Sequence, residues 1–130
     1  MKKSLSIALM LCFILVQTSC SGDDAINKEE DIFLKYKGIW NGTYLGDDEG
    51  TWTATIDETG HFSGTVTSDN FNTSFVLEGN VDQKGKLMAV YKNSGTEIGI
   101  FEGNITKTSG TGTWTNRTSN LQGSWAGEKN

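Results

Sequence analysis

Proline is absent from this chain of 130 residues, and cysteine, histidine and arginine are scarce: two Cys, one His and one Arg. Each scarcity excludes a class of chemistry. Both cysteines, Cys12 and Cys20, fall in the first twenty residues, so the remainder must fold without a disulfide. A lone histidine, His61, flanks a turn on the polar face of its strand and has no Ser-His-Asp or Cys-His cluster around it. With Arg117 the sole arginine and a net charge of −5, no basic face exists for a nucleic-acid partner. Past Val16 no segment approaches the ~18 apolar residues that a membrane span needs. Acidic residues are present but poorly arranged for catalysis or metal. Asp47, Asp48 and Glu49 match no EF-hand spacing and read as a solvated acidic loop, with Ca²⁺ as the less favoured alternative. Glu78 and Glu102 fall on outward strand positions and read as solvating charges rather than a catalytic carboxylate pair. The chain is therefore expected to be no enzyme and to carry no metal or cofactor.

What is present begins with MKKSLSIALMLCFILVQTSC: two lysines, an apolar run from about Leu5 to Val16, then small polar residues and Cys20. That order of charged, apolar and small residues is a secretory signal, expected over 1–19. VQTSC resembles a bacterial lipobox, with Gln17 where Leu is usual. The resemblance implies that Cys20 is lipidated and becomes the mature N-terminus, anchored in the outer membrane. SGDD directly after it resembles the acidic export tags of surface-exposed lipoproteins. Residues 20–28 then form the lipidated cysteine and a polar tether. Losing Lys2 and Lys3 with the signal leaves 9 basic against 16 acidic residues, a net −7. Over 29–127 the expectation is one domain: a short helix capped by Asn27 with Glu30 three residues on, stopped by Gly38, and then β-structure.

From Gly38 onward, alternation replaces the helical period. In TWTATID, Trp52, Ala54 and Ile56 face one way while the threonines and Asp57 face the other. Short turns such as DETG, DQKG and KNSG recur, which predicts eight strands near 39–45, 51–57, 61–67, 74–82, 86–92, 97–105, 109–115 and 119–126. The fold class is an all-β, eight-stranded antiparallel up-and-down barrel, with a β-sandwich as the alternative. Two near-identical phrases, LEGNVDQ and FEGNITK, each place a glycine in mid-strand. They belong to a pattern of large, small and large inward residues. Examples are Trp40, Gly42, Tyr44; Leu77, Gly79, Val81; and Phe101, Gly103, Ile105. Such a Gly/Ala layer has two readings: large residues fold over it, or it leaves a ligand cavity.

Alternating strand direction sorts the large residues into two ends. One collects Trp40, Ile56, Phe62, Val81, Leu87, Ile105 and Trp125, is served by short turns, and receives the N-terminal helix. The other has the more varied loops and an aromatic mouth of Tyr44, Trp52, Tyr91, Phe101 and Trp114. Gly38-Ile39-Trp40 after a short helix resembles the G-x-W opening of lipocalins and related calycin barrels, and residues 38–66 also resemble the first strands of avidin-type barrels. The calycin resemblance implies that Trp40 packs at the closed end against a basic residue on the last strand. Arg117 instead precedes that strand, in a loop at the other end. Val66 stands where avidin-type barrels place a biotin-binding tyrosine, so biotin is not implied.

The functional expectation is a lipid-anchored, extracytoplasmic module binding a small apolar or aromatic ligand through that mouth. The alternatives are a ligand-free surface protein that meets a protein or glycan through its loops, and a small barrel inhibitor of proteases. Mass spectrometry of the chain produced in a lipoprotein-processing bacterium should find a diacylated N-terminus at Cys20. Cys20→Ala should be recovered without acyl mass; acylation that survives the substitution rules the anchor out.

Overall fold

Gly50–Ile56 explains why the chain folds as it does: its residues are alternately buried and exposed along the whole strand, as a pleated strand with one face in the core requires. The same period runs through every strand of the computed structural model, which describes residues 33–130. The signal, Cys20, the tether and the N-terminal part of the expected helix lie outside the described residues. The strands are β1 (Gly38–Gly46), β2 (Gly50–Ile56), β3 (His61–Ser68), β4 (Thr73–Val81), β5 (Lys86–Asn93), β6 (Thr96–Ile105), β7 (Ser109–Asn116) and β8 (Leu121–Lys129). Each pairs antiparallel with its sequence neighbour, and β8 pairs with β1, so the sheet is a closed up-and-down barrel rather than a sandwich. The core is apolar, and the outer wall is mostly Thr, Ser, Asn and charged residues, with Ile39, Leu45, Val76 and Met88 exposed among them. This is the reverse of a transmembrane barrel, whose outer band is apolar.

The closed end is built from turn chemistry. Asp57 Oδ1 accepts hydrogen bonds from the Thr59 and His61 amides at 2.8 and 3.0 Å. Asp82 repeats this with Lys84 and Lys86 at 2.8 and 2.9 Å. Those hydrogen bonds hold both carboxyls below the usual range, the strongest contribution at Asp57 coming from a further bond donated by the Thr59 hydroxyl. Gly60 and Gly85 complete the two turns at φ +88° and +90°, where L side chains are disfavoured. Each then gives its carbonyl to the next hairpin, accepting from Val81 N at 2.8 Å and Ile105 N at 2.7 Å. The segment before β1 covers this end: Tyr36 is buried, and Trp40 Nε1 donates to the Tyr36 carbonyl at 2.8 Å. β8 runs three residues past its expected end, to Lys129, which lies opposite Trp40 in the β1–β8 register. Its Nζ donates to the Lys35 carbonyl at 3.0 Å. The basic residue that stands opposite Trp40 on the last strand is thus Lys129, whereas Arg117 lies in the loop before that strand.

The interior differs from two level rings in one respect, and the difference fills it. Pairs joined at the closed end set small opposite small: Ala54 with Gly64, Gly79 with Ala89, Gly103 with Gly112. Pairs joined at the open end are stepped by two residues. Gly42 therefore faces Trp52, Gly64 faces Leu77, Ala89 faces Phe101, and Gly112 faces Trp125. The closing seam steps by four, bringing Gly127 rather than Gly123 opposite Gly42. The small layer is consequently a spiral, as the stagger of a closed barrel requires, and large residues lie across it.

Tryptophans occupy the gaps. The Trp52 indole covers Gly42 and Gly127; a Cβ on Gly42 would stand 2.6 Å from Trp52 Nε1 and Cε2. Trp125 covers Gly103 and Gly112, with a Cβ on Gly103 only 2.7 Å from its Cζ2. Trp125 Nε1 donates to the Glu102 carbonyl at 3.0 Å. Trp52 and Trp125, assigned from sequence to opposite ends, meet edge to face at 5.5 Å between ring centroids. Gly79 faces Ala89, whose Cβ occupies the space. The mid-strand glycines of LEGNVDQ and FEGNITK are therefore seats for neighbouring side chains and not the walls of a cavity.

A residue larger than glycine at position 103 must displace both Trp125 and the Thr111 carbonyl of the adjacent strand. Gly103→Val should lower stability in urea denaturation by about 1–3 kcal/mol or more. Gly95→Asn, in open space at a turn position with φ +85°, meets only the backbone cost of that conformation and should lose about 1 kcal/mol or less. Equal midpoints for Gly103→Val and the parent would show that the seat is not needed.

Candidate functional site

At the open end the connections are 47–49, 69–72, 94–95 and 117–120. The tightest of these, Ser94-Gly95, places both residues at positive φ (+52° and +85°), the form that suits a two-residue hairpin. The 47–49 and 69–72 loops meet over the barrel mouth, and β1 and β3 supply what holds them. Asp48 is 6% exposed although it sits in an acidic loop. Its Oδ1 accepts from Ser68 Oγ at 3.0 Å and Asn70 Nδ2 at 2.9 Å, and its Oδ2 accepts from the Tyr44 hydroxyl at 3.0 Å. Ser68 Oγ in turn accepts from the Phe71 amide at 3.1 Å. Asp47 reaches outward to β8, accepting from the Gln122 amide at 3.0 Å. The DDE stretch is therefore not simply a solvated acidic loop: Asp48 clasps two loops together across the mouth. Among the described residues no group of three or more His, Cys, Asp or Glu is placed to hold a metal ion.

Between these loops lies a cup of about 30 Å³. That is room for a water molecule or two, whereas pockets for drug-sized ligands run to roughly 300–1,000 Å³. Its aromatic lining is Tyr44, Phe71, Phe75, Tyr91, Phe101 and Trp114; Asp48, Val66, Asn116 and Leu121 complete it. The rings brace one another. Tyr44 meets Trp114 edge to face at 5.5 Å, and Phe75 meets Tyr91 at 5.9 Å. Phe101 forms the link to the core, stacked on Trp125 at 5.3 Å with 14° between planes. Trp114 Nε1 is fixed by donation to the Leu45 carbonyl at 3.0 Å. Burial pushes the Tyr44 and Tyr91 hydroxyls well above their ordinary range, and the Asp48 carboxylate adds to the effect at both. Both phenols therefore stay neutral throughout the physiological range.

Four of the five residues expected at the mouth, Tyr44, Tyr91, Phe101 and Trp114, line the cup together. Trp52 does not: the two-residue step between β1 and β2 drops its indole onto Gly42, below the mouth. Its Nε1 is the buried side-chain polar atom left without a hydrogen-bond partner among the described residues. Four further contributors were missed: Phe75, Phe71, Asp48 and Asn116. Phe75 shares the inward parity of Leu77 and Gly79, so carrying the alternation one residue pair back along β4 finds it. Phe71 lies in a loop with no periodicity to read, and Asp48 looks locally like any solvated loop acid. His61, Glu78 and Glu102 lie elsewhere, on the closed-end turn and the outer wall.

Removing a donor from a buried carboxylate exposes its desolvation cost. Ser68→Ala should therefore destabilise the barrel by about 1–3 kcal/mol in chemical denaturation and increase amide exchange in 69–72. A stability unchanged from the parent would mean that the clasp contributes nothing. No protein-family model matches the chain, and neither the curated proteins nor the solved structures include a significant match to it.

Proposed function

We propose that this chain is a lipid-anchored, extracytoplasmic binding module that receives one compact apolar or aromatic group in the cup at its open end. The observation that carries the reading is the position of the cup. The described chain enters the barrel at the closed end, through Phe33–Lys37, and the cup lies at the opposite end. An acyl anchor at Cys20 with a polar tether would then hold the closed end toward the outer membrane and present the cup to the medium. With the core filled and only about 30 Å³ free in the cup, a small molecule, or a protruding group of a larger one, enters by its tip as rim side chains such as the exposed Phe71 move aside. The filled core gives no room for an acyl chain running down the barrel axis.

A second reading, contact with a surface protein or glycan, draws on exposed apolar residues. Phe71 and Leu45 stand at the open rim at 60% and 58% exposure, and Val76 and Met88 lie on the outer wall. The two separate by NMR mapping of the indole N–H resonances. Phenol, indole and tert-butanol should shift the Trp114 resonance and leave Trp40, at the closed end, in place, while a long-chain fatty acid should shift neither. If none of the compact probes moves Trp114, the cup is not a binding site and the interaction reading takes over.

A further inference from the structure

The Asp48 clasp ties together the 47–49 and 69–72 loops on one side of the mouth. On the other side, between the 69–72 and 117–120 loops and the adjoining ends of β5 and β6, lies a notch of about 250 Å³ that opens to solvent. Phe71 and Phe75 border both the notch and the cup, whereas Asn93, Ile98, Thr118 and Ser119 border the notch and not the cup. Its volume lies just under the range for drug-sized ligands and far above the space of one or two waters. That is the scale of a single six-membered ring with its substituents.

The lining combines an apolar platform with uncharged polar groups. Phe71 is exposed, and the Thr73 hydroxyl steadies its loop by donating to the Phe71 carbonyl at 3.0 Å. Phe75 is half-buried and braced by its edge contact with Tyr91. Asn116 Oδ1 accepts from the Ser119 amide at 2.9 Å, which ties this side chain to the 117–120 loop. Its Nδ2, the Asn93 amide and the Thr118 and Ser119 hydroxyls have no hydrogen-bond partner among the described residues. Side-chain amides and hydroxyls both donate and accept. An occupant of the notch strips water from these groups, so it must return hydrogen bonds in both senses or lose affinity.

None of the described side chains that line the notch is charged. The basic residues next to it in sequence are engaged, Arg117 with Glu97 at 4.0 Å and Lys92 with Glu78 at 3.7 Å. A phosphate or carboxylate, which only accepts, would meet cations already paired. An ammonium, which only donates, would meet no carboxylate in the lining. A purely apolar guest would strand the two asparagine amides. What answers all of these groups is a neutral ring with hydroxyls around its edge and C–H bonds on a face. We infer that the notch binds a hexopyranose unit, free or at the end of a glycan. Its C–H face lies on Phe71 and its hydroxyls bond to Asn93 and Asn116. The inference deepens the glycan reading of the rim and uses space outside the cup.

The methyl glycosides of glucose, galactose, mannose and N-acetylglucosamine test this when titrated into the intact chain beside cyclohexylmethanol, a six-membered ring with a single hydroxyl. The side-chain amide resonances of Asn93 and Asn116 report the notch, and the Trp40 indole reports the closed end. At least one glycoside should shift both amides with a Kd of about 1–10 mM, leave Trp40 in place, and bind at least about tenfold more tightly than the alcohol. Asn93→Ala, at an exposed position outside the cup, should weaken that glycoside about fivefold without weakening the alcohol. Phe71→Ala, also exposed, should weaken both. A disaccharide ending in the same sugar separates the two sources: retained binding identifies a glycan end, and lost binding a free sugar. Equal affinity for the alcohol and the best glycoside, or glycoside binding untouched by both substitutions, overturns the sugar inference and leaves an apolar rim contact standing. If neither the glycosides nor the alcohol moves the two amides, the notch is not a binding site and the glycan reading of the rim falls with it.

Discussion

Everything in this barrel depends on the step of two residues between strands that are joined at the open end. Had the strands been level, the Gly and Ala residues would have formed one ring and left an empty waist. Because Gly42 faces Trp52 and Gly112 faces Trp125, each indole lies across a small residue of the adjoining wall. Glycine in mid-strand weakens the strand in isolation, through backbone entropy and lost packing. Here the cost is offset by seating an indole, among the largest apolar surfaces a side chain can bury. This suits a domain that has no disulfide to restrain its unfolded chain and must draw its stability from packing.

The same step sets the location of the candidate site. By drawing Trp52 and Trp125 into the waist it closes the barrel axis, and Phe101, stacked on Trp125, becomes the floor of what remains open. The cup above is then bounded by loops rather than by strands alone, and its shape depends on the hydrogen bonds around Asp48. The packed core and the candidate site thus occupy different layers: tryptophan on glycine below, a clasped carboxylate among rings above. Loops held over a rigid scaffold are a usual place for binding, since they can vary without disturbing the core.

Much of the fold was legible because it is written in short-range periodicity. Strict alternation gave all eight strands to within a few residues, and the D-x-x-G turns fixed the closed end through side-chain to backbone hydrogen bonds that span only four residues. Trp40 reached its expected place for the same reason. Lys129 was missed because alternation fades at a chain end, where β8 continues against β1 with only its partner strand to show it. Of the site, Tyr44, Tyr91, Phe101 and Trp114 were legible from parity and strand direction. Asp48 was not, since its burial is made by Ser68 and Asn70, twenty residues and more along the chain.

The sequence by itself determined which residues face inward, how the strands are punctuated, and that large and small side chains alternate along each of them. These are local properties, fixed by the two-residue pleat and by turn chemistry. Only the tertiary structure decided whether the small positions would be empty or occupied. Register between strands is set by closure of the whole sheet, and a two-residue step preserves every residue's face while changing what stands opposite it. The mid-strand glycines thus read the same in either arrangement. Closure is what placed tryptophan against them and left the cup at the mouth.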